Sequence, residues 1–205
     1  MKNVRQYGLI AWAVGLSLMT GACNQSGKGS VDNADSANEA KIDSNATAVN
    51  SDDASFMVEV ANGGMTEVAL SKLAQQKASS QRVKDFASMM VQDHSQANDR
   101  LKSIADSKNV TLPDSISEKS ENTLEKLQDA KAGSFDKEYM KIMLDDHQET
   151  VKKLQDGTQS IQDTQLKQWV SNVLPTVQMH LDSAVSINQA YGYKGSDGAY
   201  PPARP

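Results

Sequence analysis

The 205-residue chain holds one cysteine, Cys23, so no internal disulfide can brace it and no cysteine-based site can form within it. Basic residues are the minority, 21 Lys and Arg against 26 Asp and Glu for a net charge of −5, and they are nowhere clustered. That excludes the basic footprint a nucleic-acid binder needs. Short pairs such as Lys152-Lys153 sit among acids and read as solvated helix faces. No stretch carries a nucleophile elbow, a phosphate loop or a dinucleotide fingerprint, and nothing in the spacing of Ser, His and Asp singles out a triad. The apolar run Leu9 to Met19 is too short to span a bilayer comfortably. Between Ala54 and Ala190 glycine and proline are sparse, so little interrupts long helices.

What is present begins with an export signal over residues 1–22, in which Lys2 and Arg5 precede the apolar run and Thr20-Gly21-Ala22 lead into Cys23. A lone cysteine behind small residues resembles a bacterial lipobox, in which the thiol is lipidated and becomes the mature N-terminus; Thr20 departs from the larger aliphatic residue usual there. Each buried methylene contributes about 0.8 kcal/mol, so more than one acyl chain anchors stably. The expected location is extracytoplasmic, on a membrane surface facing the periplasm or on the outer membrane. Residues 23–53 are rich in Ser, Asn, Asp and Ala, with Val31, Ile42 and Val49 as the branched aliphatics, and read as a flexible tether. Residues 191–205, with their Gly and Pro, read as a disordered tail from which Tyr191, Tyr193 and Tyr200 can pack back on the domain.

Residues 54–190 are enough for one domain with one core. Their apolar residues recur at helical spacing, which predicts an all-α fold. A first helix over about 54–79 contains Gly63-Gly64, a pair that suits close helix packing or a kink. A second runs to about Lys108 after the break at Ser79-Ser80, and so short a connection makes the two antiparallel. Ser115 and Glu118 have capping-box spacing and open a short helix that Gly133 ends. A third helix runs from Ser134 to about Gln155 with Gly157 as its stop, and a fourth begins near Asp163 with Pro175 inside it. Two hairpins joined by a long crossover that carries a short helix have the connectivity of a ferritin-like antiparallel four-helix bundle. Arg82-Val83-Lys84-Asp85-Phe86-Ala87 echoes Gln165-Leu166-Lys167-Gln168-Trp169-Val170, and Met90-Val91-Gln92-Asp93-His94 echoes Met143-Leu144-Asp145-Asp146-His147.

The three histidines, His94, His147 and His180, fall on three different helices, each on or beside the apolar stripe, and Glu67 of a fourth helix points to the same interior. Such a cluster is a metal site or a structural hydrogen-bond network. Counting from the hairpin turns puts Glu67, His94 and His147 at one depth, with His180 a turn or more away. Imidazoles plus a carboxylate suit zinc, copper or iron, and Met90 and Met143 would favour cuprous copper if their sulfurs reach the site. Asp93 and Asp146, each just before a histidine, either orient a neighbouring imidazole or face water, with Asp93 the more solvated. No di-iron site is expected: Val91, Leu144 and Val177 stand where a Glu-x-x-His motif needs its carboxylates.

The phrases Gly63-Gly64-Met65-Thr66-Glu67, Val83-Lys84-Asp85-Phe86-Ala87-Ser88-Met89-Met90, Asp93-His94-Ser95-Gln96-Ala97-Asn98, Phe135-Asp136-Lys137-Glu138-Tyr139, Asp146-His147 and Leu174-Pro175-Thr176-Val177-Gln178-Met179-His180-Leu181 resemble the bacterial domain-of-unknown-function family numbered 4142. The resemblance covers nearly all of Ser55 to Ile187. It implies a ferritin-like four-helix fold in an exported, often lipid-anchored protein, and it implies no activity. The residues themselves leave three functional classes open: a non-enzymatic binding or envelope-stress protein, with or without a bound transition metal, a metalloenzyme with a mononuclear site in the bundle core, and an envelope scaffold whose protein partner the sequence does not identify.

Overall fold

The structure, a computed structural model, describes residues 29–193. The export signal, Cys23 and Tyr200 lie outside the described residues. The elements are α1 (Ser30–Asp43), α2 (Ser51–Lys77), α3 (Gln81–Ser107), α4 (Glu118–Gln128), α5 (Phe135–Ser160) and α6 (Thr164–Asn188), followed by a 3-10 turn over Gln189–Tyr191. The described residues contain no strand, and none of their helices is long and apolar enough to cross a membrane.

Helix starts follow local chemistry. The Asn50 side chain accepts the amide of Asp53 at 2.8 Å to cap α2, and Asp52 and Asp53 place negative charge at its positive end. Asp163 caps α6 by accepting the amides of Gln165 at 3.0 Å and Leu166 at 2.9 Å. The expected cap of the short helix moves by two residues. Ser117 rather than Ser115 accepts the amide of Ser120, while the Ser115 amide donates to Ser30 Oγ. The expected stop at Gly157 is also corrected, because α5 continues through it to Ser160. A side chain there would press on Phe56 and Ile161, so Gly157 serves helix packing rather than termination. In the Gly63-Gly64 pair the second glycine makes the close approach: a methyl added at Gly64 would collide with the Asn98 side chain, whereas one at Gly63 would meet nothing within 4 Å.

The α2–α3 and α5–α6 turns are short, which makes each hairpin antiparallel. Two buried carboxylates then lock one hairpin to the other. Asp53, at the start of α2, accepts the amides of Gln162 at 3.2 Å and Asp163 at 2.7 Å in the α5–α6 turn. Asp136, at the start of α5, accepts the amides of Ser79 at 2.9 Å and Ser80 at 2.8 Å in the α2–α3 turn. The start of each hairpin therefore sits at the turn of the other, and the four long helices run up, down, down, up. The connection from α3 to α5 must travel the length of the bundle, and α4 lies along it, joined to α2 by a 2.8 Å bond between Thr66 and Ser120 hydroxyls.

The core runs continuously between the four long helices. Phe86 of α3 meets Tyr139 of α5 edge to face at 6.3 Å, and the Tyr139 hydroxyl pairs with Ser71 of α2 at 2.8 Å. Trp169 of α6 donates its indole N–H to the Ala97 carbonyl at 3.1 Å, and buried Asn188 donates to the Met140 carbonyl at 2.7 Å.

The largest departure from the sequence reading is α1. Residues expected to form a flexible tether are helical from Ser30 to Asp43. Composition misses this helix because it carries little apolar surface, with Ala34 and Asn38 its buried residues. Its hold on the bundle is polar. The 4 % exposed Asn38 side chain donates to the Thr111 carbonyl at 2.9 Å and accepts the Thr111 amide at 2.7 Å, and Lys41 reaches Thr111 Oγ1 at 2.7 Å. At the other end, Tyr193 packs back: its hydroxyl donates to the Asp145 carboxylate at 2.8 Å, beneath Lys141 Nζ at 4.9 Å from the ring centre.

Urea unfolding of single variants tests this account. Asn38→Ala should cost about 1–3 kcal/mol by stranding the Thr111 backbone groups, and Phe86→Ala about 3–5 kcal/mol by opening a core cavity. A wild-type midpoint for Asn38→Ala would detach α1 from the domain.

Candidate metal centre

His94, His147 and His180 come together in the bundle interior, all buried, with ring centres 5.2 to 5.6 Å apart. One ring nitrogen from each lies within 4.8 Å of those of the other two. The depth count misplaced His180 for a physical reason. His147 lies about 14 residues before the α5–α6 turn and His180 about 17 after it, an offset of about 4.5 Å at 1.5 Å per residue. Side chains lean toward the N-terminus of their own helix, so on antiparallel helices the two imidazoles lean toward each other and close that offset.

Each imidazole has one nitrogen turned outward to an acceptor. His94 Nδ1 stands 2.9 Å from Glu67 Oε2, His180 Nε2 stands 2.9 Å from Asp93 Oδ2, and His147 Nδ1 stands 2.8 Å from the Met143 carbonyl. Carboxylates and carbonyls present lone pairs, so each outward nitrogen carries a proton, and in a neutral imidazole the other nitrogen is then an acceptor. Two of the inward nitrogens, His94 Nε2 and His180 Nδ1, lie within hydrogen-bond distance of each other at 3.3 Å, and His94 donates when it is protonated. The third, His147 Nε2, is buried with no hydrogen-bond partner.

These contacts reassign several residues. Glu67, expected as a ligand, stands behind His94 on its outward side, with its second oxygen 3.5 Å from His147 Nδ1, also an outward nitrogen. It therefore orients His94, while its Oε1 is buried without a hydrogen-bond partner. Asp93, expected to be the more solvated acid, is the partner that orients His180. Met143 enters through its backbone carbonyl, and both Met90 and Met143 are fully buried core residues. Asp146 makes no contact with a histidine that matches that of Asp93; with Glu67 and His94 it lines a cavity of about 380 Å³ between the helices. The orienting role of Asp93 was legible only as an alternative, because helical spacing places it about 100° from His94 on its own helix and says nothing of the helix it faces.

Electrostatics follow from burial and pairing. Burial alone would raise the Glu67 pKa, but the neighbouring imidazoles, His94 foremost, outweigh it and hold the carboxyl at about 2. His94 is opposed by burial yet ends above its usual range because of the Glu67 charge and hydrogen bond. Burial pushes His147 down to about 4, and burial also lowers His180. Asp146 is pushed up to about 7 by burial and then by the charges of Glu67, Glu149 and Asp145.

The fold and this centre define a class: an all-helical bundle with three histidines from three helices converging on one buried point. The chain belongs to the family described as "Domain of unknown function (DUF4142)", which matches residues 38–187. That match starts within α1, in keeping with its place in the domain. No curated protein and no solved structure matches the chain.

The centre makes stability pH-dependent with defined signs. His147 and His180 are harder to protonate folded than unfolded, so stability is lost as pH falls below 6.5, for His147 down to about 4, and the Glu67 contribution follows as pH falls from 4.5 through about 2. His94 acts oppositely, its contribution being present below 6.5 and lost as pH rises through its raised folded value. Denaturation midpoints measured from pH 8 to pH 4 should fall on the acid side, and His147→Gln should flatten the limb between 6.5 and 4. An unchanged limb in that variant would place the titration elsewhere.

Proposed function

We propose that the protein binds one transition-metal ion through His94 Nε2, His147 Nε2 and His180 Nδ1, in a non-enzymatic envelope role. The observation that carries this reading is the convergence of three inward nitrogens within 4.8 Å of one another, with His147 Nε2 buried and without a hydrogen-bond partner. A proton shared between His94 and His180 would relieve their facing lone pairs but leave His147 Nε2 orphaned in the interior. A metal ion relieves all three. Two nitrogens bound at 2.0–2.1 Å to a tetrahedral ion stand about 3.3 Å apart, the separation seen between His94 and His180. Outward bonds to Glu67, Asp93 and a backbone carbonyl are the supporting contacts that metal-ligating imidazoles need. An all-imidazole set suits zinc or copper, since the carboxylates that iron favours stand behind the ligands.

Residues 1–23 support the rest of the reading: export, lipidation at Cys23, and a bundle held on the extracytoplasmic face of a membrane. The up, down, down, up order with its long crossover supports kinship with ferritin-like bundles, in a version without their Glu-x-x-His motifs.

Two experiments test the proposal. Protein purified without a metal-affinity tag should melt higher with zinc or copper, by an amount equivalent to about 2.7 kcal/mol at a free concentration one hundred times the dissociation constant. His147→Gln should abolish that gain. No shift with copper, zinc or ferrous iron, together with no metal after purification, would leave the cluster a hydrogen-bond network. For location, the wild-type chain should partition with membranes and carry acyl mass on Cys23, while Cys23→Ala should be released or accumulate as precursor; an unmodified Cys23 in the mature protein would reject anchoring.

A further inference from the structure

The structure holds three inward imidazole nitrogens, and the carboxylates of Glu67 and Asp93 stand on the outward side of the imidazoles. Glu67 serves His94, and Asp93 serves His180. The Met143 carbonyl serves His147. An ion held by three imidazoles therefore lacks a fourth ligand from the protein, and three-ligand sites complete their shell with water or another exogenous group.

Space for such a group borders two of the three imidazoles. A cleft of about 70 Å³ between α3 and α6 has His94 and His180 in its wall, and a water needs only about 10–15 Å³ of such volume. Its other lining groups include Arg100, Gln96 and Thr176, which offer positive charge and hydrogen-bond donors, while the acid among them, Asp93, has an oxygen engaged by His180. The cleft thus combines two ligand imidazoles, room for a group of a few atoms, and an arginine suited to an anion.

We infer that the three-histidine centre is an open site whose fourth position takes water or a small anion entering through the cleft lined by His94, His180, Arg100 and Thr176. This rests on the metal-binding reading above. It separates a site that only stores an ion from one that presents a reactive ion to a small ligand.

Cobalt(II) is the probe, because imidazoles bind it as they bind zinc and its visible absorption reports coordination number and ligand type, and azide is the test anion. Cobalt-loaded wild-type protein should show a saturable spectral change with one azide per cobalt. Thr176→Phe, which adds bulk to the cleft without replacing a ligand, should still take up cobalt but bind azide at least ten-fold more weakly. Cobalt uptake with no response to azide would mean a closed site, overturning the inference and leaving the metal reading standing. Failure to take up cobalt would remove both, and an undiminished azide response in Thr176→Phe would overturn the assigned route.

Discussion

Register between the two hairpins is the constraint on which the rest of this protein depends, and two buried carboxylates impose it. Asp53 and Asp136 each sit in the first turn of one hairpin and accept backbone amides from the turn of the other. These amides have no helical partner of their own and would be costly to bury unpaired. Because the clamps act at opposite ends of the bundle, sliding one hairpin past the other breaks both together. The three histidines are spread over both hairpins, so their meeting at one depth follows from that register.

The polar centre is the other side of the same rigidity. A buried ionised Glu67 is tolerable only because His94 faces one oxygen at 2.9 Å and His147 stands near the other at 3.5 Å. Removing a partner would strand a charge. The packing nearby is firm, with Tyr139, Met143 and Leu144 of α5 fully buried alongside His147. Outward hydrogen bonds fix the tautomers before any ligand arrives, so the inward nitrogens are preorganised and little conformational freedom is lost on binding.

The short sequence echoes acquire a structural meaning. Arg82 and Gln165 each follow the first residue of the second helix in a hairpin, so Phe86 and Trp169 enter the core at matching positions, one against Tyr139 and the other bonded to the Ala97 carbonyl. The other echo, ending in His94 and His147, lies on α3 and α5, which run in the same direction and lean their side chains the same way. Their imidazoles arrive at the same level from two helices, and His180 joins from an antiparallel one. The hairpins also differ where function and packing demand it: α2 contributes Glu67 where α5 contributes His147, and α1 and α4 attach to the α2 side.

Helical periodicity, the break at Ser79-Ser80 and the helix start near Asp163 were legible in the chain because they depend on neighbours within a turn or two. The burial of all three histidines was legible for the same reason, since each lies on its helix's apolar stripe. Tertiary structure alone decided what depends on the facing element. It made α1 a helix through Asn38 and Thr111, carried α5 past Gly157 because Phe56 fills the space beside it, and brought His180 to His94 by the opposite lean of antiparallel side chains. It also set Glu67 behind the outward nitrogen of His94 and Asp93 behind that of His180. Periodicity states which side of a helix faces inward, whereas the direction in which an imidazole nitrogen points is set by the acceptor on another helix, a residue far away in sequence.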